Sequence, residues 1–258
     1  MDQLTVSDRD TAYVWVGRDT GGRPGPAVRL LRRAGAALLG RAEAEVVLAH
    51  GPAGNPVVRV AGPVDSGPVE LPVSVSRAGQ VVVVAARAAG PVGVDVERVR
   101  PLPALALARR WFSPAELAWL AGRPEAARAA DFLRLWTAKE AVGKALGRGL
   151  RVGGLLREMP PPDGPGLPLR PVPGGEPLRV GNPELGDGLV LAVAVRAEAG
   201  VEVVVKVVQR AGHEGGVEVV QRAGHGVAAE RSAPVERTSL PVVVRGNASS
   251  RRSTRGRL

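Results

Sequence analysis

The stretch FLRLWTAKEAVGKALGRGL, residues 132–150, combines a helical pattern with an unusual grouping of charges. It places Glu140 between Lys139 and Lys144, shortly before the glycines that end the predicted helix. Of the 35 lysine and arginine residues in the chain three are lysines, and two of those three lie in this stretch. Lysine carries a compact ammonium group, whereas arginine carries a planar guanidinium group with several donors. Lysines in an arginine-rich chain therefore indicate that a compact positive charge is needed here.

The composition predicts a globular protein with a substantial core. The chain has 258 residues, of which 45% are hydrophobic and 23% are charged, enough for one domain or two small ones. The absence of cysteine excludes disulfides, thiolate catalysis and cysteine zinc sites. The N-terminal residues lack the pattern of a signal peptide, and no apolar run is long enough to cross a bilayer. We therefore expect a soluble, cytoplasmic protein without a membrane partner.

The net charge of +10 is unevenly distributed along the chain. Residues 209–258 hold nine arginines and four glutamates, a net of +5, and the heptapeptide VVQRAGH occurs at 207–213 and again at 219–225. Large apolar residues are scarce beyond residue 226, which predicts a disordered, low-complexity basic tail. The milder positive charge of the remaining chain suits anionic small molecules or an acidic partner.

Apolar periodicity and turn residues divide the chain into strands and helices. One helix start is marked by Ser113, which is followed by a proline and, three residues after the cap, by Glu116. Residues 157–188 are rich in proline and glycine and predict a loop, and the valine-rich segments 189–195 and 201–208 predict a terminal hairpin. The other predicted elements are strands at 11–17, 46–49, 57–60, 71–75, 81–87 and 92–99 and helices at 27–44, 114–121 and 124–146.

Two pairs of residues could carry chemistry. Asp95 and Glu97 share one face of an alternating strand, roughly 6.5 to 7 Å apart along it, and Gly93 on the same face leaves the approach open. Two carboxylates at that separation can bind magnesium, although acids are also ordinary on a strand face that contacts water. Glu140 and Lys144 lie four residues apart on one helix face, which also fits a simple surface ion pair.

Three motifs occur together in a particular order. GVDVE, at 93–97, is followed by an aromatic-Ser-x-x-Glu helix start at 112–116 and then by WTAKEAVGKALGRGL at 136–150. In this order and spacing the sequence resembles the phosphopantetheinyl transferase superfamily, in its long, Sfp-type (surfactin-type) branch. The resemblance is strongest over residues 91–150 and continues more weakly upstream, with GNPV at 54–57 and SRAGQ at 76–80.

The resemblance implies an α+β fold with two pseudo-symmetric halves, each a small antiparallel sheet plus a helix, and a cleft between them. The halves would be residues 1–90 and 91–208, followed by the tail at 209–258. The implied activity is that of a holo-[acyl-carrier-protein] synthase. Such a transferase moves the phosphopantetheine arm of coenzyme A onto a serine of an apo acyl or peptidyl carrier protein, requires magnesium, and releases adenosine 3′,5′-bisphosphate. Because both halves lie in one chain, we expect a monomer.

The resemblance also implies a metal site and catalytic residues. Asp95, Glu97 and Glu140 would hold magnesium on the pyrophosphate of coenzyme A. Glu140 would take the proton from the carrier serine, and Lys144 would balance the charge that develops on the phosphate. Glu140 and Lys144 are therefore the implied catalytic residues.

The implied coenzyme A site departs from the family pattern at two positions. Arg77 stands where the family usually has histidine, and Asn55 stands where it usually has lysine, both near the 3′-phosphate of the nucleotide. Arg77 can still bind phosphate bidentately, whereas Asn55 offers a neutral hydrogen bond, so we expect altered affinity for coenzyme A. The implied cofactor-binding residues are Asn55, Ser76, Arg77, Lys139 and Lys144.

Two other functions are compatible with parts of the sequence. A basic, arginine-rich module that binds RNA or another polyanion is suggested by the isoelectric point near 11.3. The scarcity of aromatic residues, at 3%, and the absence of a nucleic-acid recognition motif argue against a nucleic-acid partner. A degenerate family member that keeps the fold and binds coenzyme A poorly is the third possibility, because of Asn55 and Arg77.

Overall fold

The computed structural model describes residues 10–19, 21, 24–52, 54–63, 67–150, 154–162, 169–197, 201–208 and 220–223. All of these residues belong to one compact unit, which spans 1–226, and residues 227–258 lie outside the described part of the chain. In chain order the elements are β1 (Thr11–Arg18), α1 (Pro26–Leu39), a 3₁₀ turn (Glu43–Glu45), β2 (Val47–His50), β3 (Pro56–Val60), β4 (Val69–Ala78), β5 (Val81–Ala86), β6 (Val92–Arg98), α2 (Ala104–Trp111), α3 (Pro114–Ala121), α4 (Glu125–Ala145), β7 (Arg170–Pro171), β8 (Leu178–Gly181), β9 (Leu189–Arg196), β10 (Glu202–Val207) and β11 (Val220–Ala223).

The strands form two sheets, which confirms the predicted α+β class. The larger sheet has the order β11-β10-β1-β5-β4-β3-β2, and the smaller one has the order β6-β9-β8-β7. Neighbouring strands are antiparallel, except that β1 and β10 run parallel. In the described residues, each of the two sheets packs against helices of its own.

Three hydrophobic clusters define the layers. One cluster joins α1 to one face of the larger sheet, through residues such as Leu30 and Val84. A second lies between the two sheets and includes Val14 and Val94. The third joins α2, α3 and α4 to the smaller sheet, with Phe132 among its members. Valine, leucine and alanine supply most of this core, as the scarcity of aromatic residues requires.

The predicted terminal hairpin is wrong. β9 pairs with β6 and β8, whereas β10 crosses to the larger sheet and pairs in parallel with β1, in the register Thr11↔Glu202. Strands buried on both faces read as continuous valine runs, so their sequence does not specify which strand they pair with. As a result, β10 comes from the predicted half 91–208 but lies in the sheet built by residues 1–90.

Two further segments differ from their predictions. β8, at Leu178–Gly181, is a strand of the smaller sheet, although it falls in the predicted loop at 157–188. Val220–Ala223 forms β11 on the edge of β10, so these four residues of the predicted tail extend the larger sheet. The rest of the predicted tail lies outside the described residues. Among the residues that the structure covers, no helix is both long and apolar enough to span a membrane.

The predicted start of α3 is confirmed. The Ser113 hydroxyl accepts a hydrogen bond from the Glu116 amide at 3.2 Å, and the Glu116 carboxylate accepts one from the Ser113 amide at 2.8 Å. This reciprocal pair satisfies two amides that a helix N-terminus otherwise leaves unbonded. The same carboxylate extends inward from the cap and makes a second set of contacts with α4.

Candidate active site

Helix α4 contacts strand β6 at Gly93. A Cβ atom on Gly93 would lie 1.9 Å from the carbonyl oxygen of Ala141 and 2.6 Å from the amide nitrogen of Ala145. Side chains two residues apart share a strand face, so Asp95 and Glu97 lie on the same side of β6 as the helix. The sequence suggested that Gly93 keeps an approach open for a ligand. The structure corrects this, because the helix backbone fills the space that glycine leaves.

Asp95 is held by two groups from different elements. Its Oδ1 atom accepts hydrogen bonds from the Ser76 hydroxyl at 2.7 Å and from the Lys144 ammonium at 2.8 Å. The same ammonium donates to the carbonyl oxygen of Val94 at 3.0 Å. The structure therefore brings together Asp95, Lys144 and Ser76, which the sequence placed in one site.

Two serines of β4 join the sheets beside this site. The Ser74 hydroxyl accepts a hydrogen bond from the Val94 amide at 3.0 Å, and the Ser76 hydroxyl accepts one from the Val96 amide at 3.3 Å. Because β6 is an edge strand, these buried amides would otherwise lack partners. Sequence reasoning missed Ser74, although two serines on one face of an apolar strand are a signal for buried hydrogen bonding.

Glu140 is half-buried and faces the same group of charges. Burial raises the pKa of its carboxyl group, the negative charges of Asp95 and Glu97 raise it further, and Lys144 opposes them. Burial likewise raises the pKa of Asp95, although Lys144 and Ser76 stabilise its charged form. Glu140 makes no side-chain hydrogen bond or ion pair with any residue that the structure describes. The three predicted acids therefore share one electrostatic environment, and among the described residues Glu140 is the acid of the three without an ion pair.

The three acids, as the structure places them, do not converge on a common metal position. Glu97 pairs with the guanidinium of Arg100 at 2.9 Å, and Asp95 pairs with Lys144. Within the described ranges, no three histidine, cysteine, aspartate or glutamate side chains are grouped so that they could hold a metal ion. Carboxylate oxygens are nevertheless the ligands that magnesium prefers, and a cationic ammonium already rests against Asp95. The oxygen donors match the preference of magnesium, whereas their placement in the described residues does not form a site for it.

Lys139 faces a different part of the fold from Glu140 and Lys144. Its ammonium is fully buried, 2.7 Å from the Glu116 carboxylate, and donates to the carbonyl oxygen of Arg157 at 2.5 Å. Adjacent residues of a helix point about 100° apart, so Lys139 and Glu140 face different surroundings. The Lys139 ammonium is engaged by Glu116 and by the Arg157 carbonyl group, and its predicted contact with coenzyme A stays a prediction.

The other two predicted coenzyme A residues are Asn55 and Arg77. Asn55 is in the turn between β2 and β3, where its carbonyl oxygen accepts a hydrogen bond from Gly51 at 2.8 Å. Arg77 is exposed on β4, on the opposite strand face from Ser76. In the described part of the chain, no hydrogen bond or ion pair joins Asn55 or Arg77 to Asp95 or Glu140.

A cavity of about 210 Å³ lies on another side of α4. Its lining includes Lys139, Gly143, Arg148 and Arg157, and none of the three acids belongs to it. It is therefore distinct from the acid cluster.

The raised pKa of Glu140 predicts how stability depends on pH. Because folding favours the protonated form of this carboxyl group, its ionisation destabilises the folded state, and stability is lost as pH rises from the ordinary glutamate pKa through the folded one. We expect Glu140→Gln to unfold at a higher temperature than the parent at pH 7 in the presence of EDTA. The gain should disappear below about pH 4, where both states are protonated. Glu184, an exposed glutamate, provides the control Glu184→Gln, and equal gains in the two variants would contradict this prediction.

Comparisons with known proteins point to one family. Residues 91–167 match the sequence model of the 4′-phosphopantetheinyl transferase superfamily. The chain is 41% identical over 63 residues to 4′-phosphopantetheinyl transferase psf-1 of Bacillus pumilus, covering 24% of this chain and 27% of that protein. It is 38% identical over 88 residues to the putative 4′-phosphopantetheinyl transferase slr0495 of Synechocystis sp., covering 34% and 35%. It is 34% identical over 62 residues to 4′-phosphopantetheinyl transferase gsp of Aneurinibacillus migulanus, covering 24% and 26%.

These alignments span about a quarter to a third of the length of the curated relatives. The segment matched by the family contains β6, α4 and all three acids of the site. The predicted resemblance to the 4′-phosphopantetheinyl transferase superfamily, in its Sfp-type branch, is thereby confirmed as a sequence similarity over residues 91–167.

Proposed function

We propose that this protein is a magnesium-dependent 4′-phosphopantetheinyl transferase that modifies a serine of an acyl or peptidyl carrier protein with the phosphopantetheine arm of coenzyme A. The observation that carries the proposal is the contact between α4 and β6. It brings Lys144 to 2.8 Å from Asp95 and places Glu140 within the electrostatic reach of both strand acids, inside the segment matched by the family.

The proposed metal ligands are Asp95, Glu97 and Glu140. Magnesium bound by these carboxylates would polarise the attacked phosphate and offset the charge of the leaving group. Two observations support these acids as metal ligands. They offer oxygen donors, and, in addition to burial, the neighbouring negative charges raise the pKa of Asp95 and of Glu140. Glu97 must exchange its contact with the exposed Arg100 for the metal, which costs little because an exposed ion pair is worth about 0–1 kcal/mol.

The proposed acid–base residue is Glu140. Its carboxylate is half-buried beside the strand acids and makes no hydrogen bond or ion pair with any described residue, so it could take the proton of a substrate hydroxyl, directly or through water. In the transfer step the serine oxygen forms a bond to phosphorus, the bond from phosphorus to adenosine 3′,5′-bisphosphate breaks, and the serine proton passes to Glu140. The Lys144 ammonium stabilises the charge that develops on the phosphate oxygens.

Three residues of the larger sheet and its turns are proposed to bind the nucleotide of coenzyme A. Arg77 supports this role best, because its exposed guanidinium can bind a phosphate bidentately. Asn55 can add a neutral hydrogen bond from its turn, and Ser76 would act from its position against the Asp95 carboxylate and the Val96 amide. We further propose a cytoplasmic monomer whose partner is the apo carrier protein.

One assay tests the proposed function. The protein is incubated with apo acyl and apo peptidyl carrier proteins, coenzyme A and magnesium, and intact-mass spectrometry measures the phosphopantetheine adduct. We expect adduct with the parent and with Glu184→Gln, and a rate at least about 100-fold lower with Glu140→Gln, as for other lost acid–base groups. Transfer by Glu140→Gln at the parent rate would contradict the role of Glu140. No adduct on any carrier, together with salt-sensitive binding of RNA, would favour the polyanion-binding alternative.

A further inference from the structure

Strand β6 is held along its outer edge by serine side chains. Among the described strands, β6 pairs with β9 on one side, and its other edge meets β4 of the larger sheet. There the Ser74 hydroxyl accepts a hydrogen bond from the Val94 amide at 3.0 Å, and the Ser76 hydroxyl accepts one from the Val96 amide at 3.3 Å. The two hydroxyls therefore fix the residues on either side of Asp95.

Val94 connects Ser74 to the charged groups of the site. Its carbonyl oxygen accepts a hydrogen bond from the Lys144 ammonium at 3.0 Å, and the same ammonium donates to Oδ1 of Asp95, the next residue, at 2.8 Å. The amide and the carbonyl group of one strand residue point to the same edge of the strand, so Ser74 and Lys144 bind Val94 side by side. A shift of Val94 would therefore move both members of the Asp95–Lys144 pair.

Ser74 acts from inside the protein. It is 5% exposed, and its strand β4 pairs in the register Ser74↔Ala85 with β5, which is buried along its whole length. In the described part of the chain, no hydrogen bond joins its hydroxyl to Asp95, Glu140 or Lys144. Ser74 can therefore affect these side chains through the backbone of β6, and it is placed to do so from a rigid support.

Removal of the Ser74 hydroxyl would change orientation rather than binding. The Val94 amide is buried and would lose its partner, and a buried amide without a partner is costly enough to favour a shift of the strand. Such a shift would misplace Asp95 and Lys144 relative to each other. The exposed Arg77, on the opposite face of β4, would keep its place.

We propose that Ser74 is a positioning residue for the transfer reaction: its hydroxyl fixes Val94 of β6 and thereby sets the placement of the Asp95 carboxylate and the Lys144 ammonium. This role rests on the proposed function, because it concerns the reaction at these two side chains. Ser74 itself contacts neither the coenzyme nor the carrier protein.

Steady-state transfer kinetics test this role, with coenzyme A, magnesium and the carrier protein that the parent modifies. We expect Ser74→Ala to lower kcat by about tenfold, because a misplacement of about 1 Å can cost about 100-fold in rate. The KM for coenzyme A should stay within about twofold of the parent value, as for an interaction that serves the transition state. Ser74→Thr keeps the hydroxyl on a side chain suited to strands and should recover most of the loss.

Val58→Ala is the control for a general loss of stability. Val58 is fully buried in the cluster between α1 and the larger sheet, and the described members of that cluster include no residue of β6. Its truncation removes core packing on the face of the sheet opposite to Ser74. This variant should unfold at a lower temperature than the parent and keep the kcat of the parent.

Amide hydrogen exchange of the ligand-free protein gives a readout that does not depend on turnover. Ser74→Ala should accelerate exchange of the Val94 amide several-fold more than that of the Val96 amide, which keeps its Ser76 partner. Val58→Ala should change the two amides alike.

A kcat of Ser74→Ala within about twofold of the parent would overturn the positioning role and leave the proposed function intact. The role is also overturned if Val58→Ala lowers kcat as much as Ser74→Ala, or if exchange of the Val94 amide is unchanged. It falls as well if Ser74→Thr recovers no activity while it protects the Val94 amide as the parent does. Absence of transfer by the parent on any carrier would overturn the proposed function and this role together.

Discussion

Replacing Lys139 with methionine is expected to destabilise the protein by about 3–5 kcal/mol, the usual cost of breaking a buried ion pair. The carboxylate of Glu116, which is 2% exposed, would lose the ammonium that lies 2.7 Å away. Its remaining partners are the amides of Ser113 and Met159, which do not neutralise a buried charge. The carbonyl oxygen of Arg157 would also lose its donor.

Chemical denaturation of the parent and variant measures this effect. The control is the double variant Glu116→Gln/Lys139→Met, which removes both charges and should recover a large part of the lost stability. A loss below about 1 kcal/mol for the single variant, the value typical of exposed pairs, would contradict the assignment of a buried pair. If the single variant does not accumulate as folded protein while the double variant does, the buried charge is again identified as the cause.

Replacing Gly93 with alanine is expected to separate α4 from β6 and to impair both stability and transfer. The new methyl group would overlap the Ala141 carbonyl oxygen and the Ala145 amide, at 1.9 and 2.6 Å, and neither backbone group can move without shifting the helix. Overpacking of this kind costs about 1–3 kcal/mol and sometimes more. Because Asp95 lies two residues along the same strand face, the shift would also lengthen its contact with Lys144.

The measurements are the denaturation midpoint and the rate of phosphopantetheine transfer. Gly175→Ala is a matched control, because Gly175 is exposed and a Cβ atom there meets no other group within 4 Å. That variant should retain the stability and rate of the parent. A Gly93→Ala protein as stable and as active as Gly175→Ala would show that the helix does not approach the strand as closely as described.

Local patterns in the sequence predicted the elements that form the site. The serine cap of α3, the long helix that became α4, and the strand with Asp95 and Glu97 on one face are each encoded within a few neighbouring residues, and each is confirmed. The sequence also predicted that the strand acids and Glu140 come together, although it did so through the family resemblance. Periodicity alone favoured the interpretation that Asp95 and Glu97 are ordinary acids on a strand face that contacts water.

Contacts between residues that are far apart in the sequence could not be predicted from local patterns. Lys139 and Lys144 look alike in the motif, and their separate roles depend on which part of the fold lies opposite each side of α4. Ser74 gains its role from the β6 amide that happens to face it, 20 residues along the chain. The partner of β10 likewise depends on which strand edge is vacant once the other strands have paired, and that is a property of the whole sheet.

The parallel pairing of β1 with β10 has a consequence for biosynthesis. The register Thr11↔Glu202 joins strands from opposite ends of the described core, so a nascent chain must release β1 long before its partner has been made. During that interval one side of β1 is an unpaired strand edge, a surface that attracts other extended chains. Contacts of such long sequence separation also form slowly. We therefore expect newly made chains of this protein to depend on chaperones that cover the β1 edge until β10 emerges from the ribosome and pairs with it.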